Sequence, residues 1–238
     1  MECRNCNTVF EGNFCNNCGQ KAGEKRFMLS NLPVEFLHGF YHVHSGFLFT
    51  IRELFIRPGE TLRGYFYGKR VSYFHPFTFL LLISLVGGFL YKWAGVTEHL
   101  NDNLLASGDT VRFTGKYFSY RMLLAIPAYA LICSILYRPF KYNLAEHLIV
   151  NTFLISQSIV LLIVWLLITI VVKPVGVVFE ILYFSAFCSL IIYQVLVFFR
   201  LFNTGNTFLR WLKALATVLI GLGLSFLLMN YLVKIVYL

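Results

Sequence analysis

From Pro76 onward the chain is a succession of apolar runs, each about 17 to 25 residues long, the length a helix needs to cross roughly 30 Å of hydrocarbon. Five runs can be told apart: Pro76–Lys92, Arg121–Tyr137, His147–Val172, Pro174–Phe199 and Leu212–Leu232. Only Lys173-Pro174 separates the third from the fourth. Their combined length exceeds a single crossing and proline disfavours an unbroken helix, so a tight reversal is expected there. Across all 238 residues, 58% are hydrophobic and 13% charged. That is more apolar surface than a soluble core of this size can hide. The expected fold is mainly α, a polytopic membrane protein of about five transmembrane helices.

The composition changes sharply along the chain and gives three expected units: a cysteine-rich polar head at residues 1–26, an aromatic and basic amphipathic segment at 27–75, and a helical transmembrane domain at 76–238. The start is polar and does not read as a secretory signal, so the membrane helices themselves are expected to direct insertion. A net charge of +9 does not by itself nominate nucleic acid, because cations also accumulate in the cytoplasmic loops of membrane proteins. Fourteen Lys and Arg fall on the N-terminal side of the five-span topology and six on the other. This asymmetry puts the N-terminus in the cytoplasm and, with an odd number of spans, the C-terminus outside. The longest external loop carries Val111-Arg112-Phe113, Thr114-Gly115 and Lys116-Tyr117-Phe118, the pattern of a short hairpin.

Cys3-x2-Cys6 and Cys15-x2-Cys18 stand eight residues apart in the head. Each pair can aim two thiolates at one ion, and the two pairs together complete a tetrahedral site, so Cys3, Cys6, Cys15 and Cys18 read as ligands of one structural Zn²⁺. Glu11-Gly12-Asn13 would reverse a small zinc-ribbon β-hairpin between them. A unit this short cannot fold on an apolar core, so the metal would supply most of its folding free energy. The alternatives are two disulfides, a redox pair or an iron site; a reducing cytosol and the lack of a surrounding βαβ pattern weigh against the first two. Cys133 and Cys188 lie within spans and read as small packing residues.

In the segment that follows, Thr50, Glu53 and Arg57 share one helical face, with Glu53 and Arg57 spaced as an i,i+4 pair. Pro58 suits the first turn of a second helix and Gly68 its end. The cations Arg57, Arg63, Lys69 and Arg70 sit among Tyr65, Phe66 and Tyr67, an arrangement that suits contact with anionic lipid headgroups on the inner leaflet. The chain resembles a bacterial family of membrane proteins known only as a domain of unknown function. The resemblance rests on Cys18-Gly19-Gln20-Lys21, Gly46-Phe47, Arg57-Pro58-Gly59, Tyr65 with Gly68-Lys69-Arg70, and Tyr73-x-x-Pro76-Phe77. It covers about the first third of the chain and implies an architecture of cytoplasmic ribbon, interfacial motif and helical membrane domain, without implying a reaction.

Other residues invite a function. His38, His42 and His44 offer a second metal site, against a plainer reading as interfacial packing beside Phe36, Phe40 and Tyr41. Glu146 and His147 stand at the mouth of the third span, Asn151 and Gln157 within it and Glu180 near the external end of the fourth; such groups mark either a functional path or interhelical hydrogen bonds. No Walker loop, Gly-x-Ser-x-Gly elbow or His-Glu-x-x-His occurs, so an enzyme of soluble substrates is disfavoured. Three functions remain: a ribbon that binds, scaffolds or senses a cytoplasmic protein partner; a transporter or channel subunit gated by the juxtamembrane segment, with oligomerisation able to supply a pore; and an enzyme acting on lipid. Lys21, Lys25 and Arg26 beside the ribbon would suit nucleic acid too, but nothing selects it.

Overall fold

A computed structural model describes residues 1–23, 26–33, 46–96, 118–203 and 205–237. The histidine cluster at His38, His42 and His44 and the hairpin expected around Thr114-Gly115 lie outside these residues. Seven α-helices occur among the described residues: α1 (Phe47–Ile56), α2 (Pro58–Phe66), α3 (Pro76–Trp93), α4 (Phe118–Leu136), α5 (Leu144–Val172), α6 (Val177–Leu201) and α7 (Thr207–Tyr237). Four of them, α3, α5, α6 and α7, are long and apolar enough to cross a membrane. In α4 the apolar stretch is shorter, Leu123–Leu136.

The expected reversal between α5 and α6 is present. Lys173 adopts the left-handed conformation with φ 48° and closes α5 through its amide to the Thr169 carbonyl. Pro174 and Val175 then cross to Gly176, after which α6 begins. At the other end of α5, Asn143 and Glu146 form a reciprocal cap: each side chain accepts the other's backbone N–H at 2.9 Å, which satisfies two donors that a helix start leaves open.

α5 is the central helix, packed against α3, α4 and α6, while α7 closes on α4 and α6. Its burial is lopsided: nearly all of Ala145–Ile159 is buried, but beyond Ile159 only Leu166 is. The main apolar core therefore gathers at the end of the bundle where α5 begins, around Phe79, Ile149, Leu154 and Phe198. Elsewhere large apolar side chains such as Leu85, Phe89, Val171 and Phe184 face outward, as helices with hydrocarbon for a solvent allow.

α1 is turned polar side inward. Thr50 and Glu53 are buried with Leu54, while Leu48, Phe49, Phe55 and Ile56 are exposed. The polar face is satisfied internally: Thr50 Oγ1 accepts the Phe74 amide at 2.8 Å, and Glu53 pairs with Arg57 at 2.8 Å.

Candidate metal centre and its seat on the helical domain

The head consists of two matching knuckles. In the first, the Cys3 amide donates to Thr8 O at 3.0 Å and the Asn7 amide to Cys3 O at 2.9 Å. In the second, the Cys15 amide donates to Gln20 O and the Gly19 amide to Cys15 O, both at 2.8 Å. The residue after each second cysteine, Asn7 or Gly19, has a positive φ, the conformation that Asn and Gly accept most readily. Isolated antiparallel bridges, Glu2 to Val9 and Phe14 to Lys21, close the two loops. The expected β-hairpin is not formed, and no strand occurs among the described residues. The eight-residue spacer is divided between the closures of the two knuckles, which leaves Glu11–Asn13 as a link with no ladder to reverse.

This folding gathers all four sequence-expected ligands. The Sγ atoms of Cys3, Cys6, Cys15 and Cys18 lie within 4.8 Å of one another, with Cys3–Cys18 and Cys6–Cys15 at 3.6 Å. A disulfide needs about 2.05 Å. A tetrahedral zinc with Zn–S near 2.3 Å puts its sulfurs about 3.8 Å apart, so the cluster has the size of a four-thiolate metal site. The Thr8 hydroxyl and amide at the Cys6 sulfur hold that thiol down to about 6, while burial pushes Cys18 up to about 11. Besides the cysteines, the only buried apolar side chain of the head cluster is Phe10, with Ala22 packed against it. So small a core cannot hold the unit together without a cross-link.

The head is fastened to the helical domain at two places. Gln20, buried to 4% exposure, accepts the amides of Arg70 and Val71 at 3.4 and 3.3 Å, and Ser72 donates to Asn5 at 3.1 Å. These acceptors face the turn that Gly68 begins. With φ 107° Gly68 ends α2, and Lys69 N reaches back to Gly64 O at 3.0 Å; Arg4 lies so near that a Cβ on Gly68 would come within 3.1 Å of it. The second fastening is Arg26-Phe27. Arg26 makes a two-pronged ion pair with Glu146, both contacts 2.6 Å, also donates to Lys141 O, and is held charged by that carboxylate. Asn143 donates to Phe27 O at 2.6 Å. The Phe27 ring stacks on Tyr65 at 5.6 Å, and the Arg70 guanidinium lies over the Phe27 ring, 3.7 Å from its centroid.

The four cations expected at lipid take different positions. Arg57 holds Glu53; Arg63 donates to the carbonyls of Arg200 and Leu201 at the end of α6, at 2.9 and 2.8 Å; Lys69 is exposed and Arg70 sits against Phe27. The intramembrane polar residues are not gathered into one site. Asn151 donates to His147 O at 2.8 Å and meets the Cys133 sulfur at 3.7 Å. Gln157 donates to Ile51 O at 3.0 Å and so ties α5 to α1, whereas Glu180 is exposed in the first turn of α6. Sequence reasoning missed a buried network in which Tyr129 donates to Gln194 at 3.1 Å and Gln194 to Ser158 at 3.2 Å. It also missed Arg200 and Arg210, which join Arg57 and Arg63 around one cavity.

A family model described as a protein of unknown function (DUF3667) matches residues 44–87. The matched stretch contains α1, α2, the Gly68–Ser72 turn that seats the head, and the first part of α3. No curated protein and no solved structure matches the chain.

Proposed function

We propose that the chain is a bacterial inner-membrane protein in which a cytoplasmic zinc ribbon, held in fixed orientation on the helical domain, binds a protein partner. The observation that carries this reading is the double fastening of the four-cysteine cluster, through Gln20 and Asn5 to the Gly68–Ser72 turn and through Arg26 to Glu146. A metal unit meant only to stabilise its own few residues has no need of a rigid seat on another domain. The starts of α3, α5 and α7 and the ends of α4 and α6 all lie toward the seat in the alternating order of the spans. These are the ends that carry the fourteen-cation side, which supports a cytoplasmic ribbon and an external C-terminus. Met1, Val9 and Phe14 are exposed on the ribbon at 61%, 76% and 62% and offer a partner an apolar contact. Zinc suits four thiolates with no open position, hence a structural ion.

A photo-crosslinking amino acid at Phe14 tests this in intact cells. One discrete protein adduct, lost in Cys3→Ser, is expected; adducts to lipid alone, or a pattern indifferent to Cys3→Ser, would overturn the reading. A second reading, a transporter or channel subunit, draws support from buried polar atoms of α5 without a hydrogen-bond partner among the described residues: both ring nitrogens of His147, Asn151 Oδ1 and Gln157 Oε1. Metal-independent ion flux through liposomes holding the pure protein would favour that reading over the first.

A further inference from the structure

Where α6 ends and α7 begins, two cavities of opposite character take their lining from neighbouring positions of the same two helices. One, of about 260 Å³, is lined by Arg57, Arg63, Arg200, Arg210, Asn203 and Glu60. The other, of about 410 Å³, is apolar and runs between the last turns of α6 and the first turns of α7, past Ile191, Val195, Phe208, Trp211 and Leu215. Neighbouring positions of α7 divide between them, Arg210 to the first and Phe208 and Trp211 to the second.

The arginines have structural duties, which leave capacity over. Arg200 donates to Ile56 O at the end of α1, Arg63 to two carbonyls at the end of α6, Arg210 to Phe199 O and Arg57 to Glu53. Each guanidinium carries five N–H donors, and these bonds occupy at most two on any one of them. Charge is also left over. Against four cations stand the carboxylates of Glu53 and Glu60, and the partial negative charges at the ends of α1 and α6 are offset by the partial positive charges at the starts of α2 and α7. The balance stays positive by about two charges, which suits a phosphate group. The geometry is set in advance: Arg210 lies over the Phe199 ring at 4.0 Å from its centroid, and Phe199 stacks on Trp211 at 4.2 Å.

The geometry points to a binding site for one anionic phospholipid, its phosphodiester in the arginine cavity and an acyl chain in the apolar groove between α6 and α7. The two halves explain each other: a soluble phosphate ligand leaves the groove without purpose, and an uncharged lipid leaves the arginines without one. Planar guanidinium forks suit phosphate oxygens, and a cationic choline or ethanolamine amine is disfavoured among four arginines, so the occupant is a lipid of the phosphatidylglycerol kind. The site does not depend on the identity of the ribbon's partner.

The test uses the full chain, delipidated in a maltoside detergent and titrated with phosphatidylglycerol, phosphatidylcholine or inorganic phosphate. Phenylglyoxal labelling of arginine, read peptide by peptide, reports occupancy, and native mass spectrometry counts retained lipid. Phosphatidylglycerol is expected to protect Arg57, Arg200 and Arg210, with one lipid retained per chain. Arg210→Gln should weaken retention about tenfold, the loss of one charge-assisted hydrogen bond. Arg52→Gln removes the same charge from an exposed position on α1 outside the cavity and should change nothing. Protection by phosphate as strong as by phosphatidylglycerol would show a soluble ligand and overturn the lipid site. Absence of protection by any probe, or equal loss in Arg210→Gln and Arg52→Gln, would overturn it as well. Should Arg210→Gln fail to fold, judged by its metal content and elution, protection in the native protein decides alone.

Discussion

Two glycines of α2, five residues apart, should respond to the same substitution with opposite signs. A Cβ on Gly59 would lie 2.5 Å from the Arg200 carbonyl oxygen and 2.7 Å from its carbon. These are backbone atoms at the end of α6 and cannot swing aside. An ordinary contact requires α2 to retreat by about 0.9 Å, and overpacking of this kind typically costs 1–3 kcal/mol. The retreat would also carry the Arg63 bonds to Arg200 O and Leu201 O, now 2.9 and 2.8 Å, past useful length, although the long side chain can follow part of the way. Gly59→Ala should therefore destabilise the protein by about 2–4 kcal/mol, which by the scaling for domains of this size lowers the melting temperature by roughly 4–16 °C. At Gly64 the nearest atom to a Cβ is Lys69 Cδ at 3.7 Å. There alanine meets only an ordinary contact with a flexible chain and gains helix propensity of up to about 1 kcal/mol, so Gly64→Ala should be neutral or stabilising. Intrinsic-fluorescence melting of both variants in one detergent reads the difference. Melting temperatures within a degree of each other, or Gly59→Ala the more stable, would refute the close approach of α2 to α6.

Elemental analysis of fresh, unchelated protein should find one zinc per chain, lost in Cys3→Ser or Cys15→Ser; less than about half an ion per chain, or a Cys3–Cys6 disulfide in reduced cells, would contradict the site. Arg26→Gln leaves the Glu146 carboxylate, only 4% exposed, without its cation and should cost about 1–2 kcal/mol, discounted because Arg26 itself is half exposed. Glu146→Gln keeps the cap on α5, since Gln serves at that position, and should cost less; the reverse order in thermal melting would show that the pair does not fasten the head. Reporter fusions should find residue 1 in the cytoplasm and residue 238 outside, and a C-terminal fusion active only in the cytoplasm would remove one crossing, with α4 the first to re-examine.

What could be read from the chain depended on how local its cause was. The division at Lys173-Pro174, the end of α2 at Gly68 and the four cysteine ligands are set by neighbouring residues, and the structure has them where the sequence puts them. The hairpin failed because Cys-x2-Cys spacing specifies a knuckle and is silent on how the intervening residues pair. The face of α1 was ambiguous for a different reason. Helical periodicity groups Thr50, Glu53 and Arg57, but it cannot say whether that side meets water or the protein interior when the surrounding solvent is lipid. The arginine cavity was least legible: Arg63 and the carbonyls it caps are 137 and 138 positions apart, and nothing near Arg200 or Arg210 announces a partner. Glu146 lay between these cases, with its cap spelled out by Asn143-x-x-Glu146 and its pairing with Arg26 not.

Hydrocarbon rewards apolar contact between helices little, because lipid tails are as apolar as the side chains they replace. Polar contacts at helix ends must then carry much of the orientation, and they concentrate where the core is. Arg200 donates to the end of α1 while Arg63, on α2, donates to the end of α6, so the juxtamembrane helices and α6 hold each other's termini. The Gly68–Ser72 turn at the end of α2 in turn receives Gln20 and Asn5 from the two cysteine knuckles. Those knuckles have almost no apolar core of their own, so an ion joining the four thiolates would supply most of what fixes their shape. The four-cysteine cluster therefore stands at one end of a continuous chain of polar contacts that passes through the turn and α2 to the end of α6. Loss of the ion would release Gln20 and Asn5 together, leaving the amides of Arg70 and Val71 to water while the Arg63 and Arg200 contacts remained. Removal of a bound ion would then part the head from its seat without unfolding the bundle, and a thermal melt after chelation that loses the helices in the same step would contradict this.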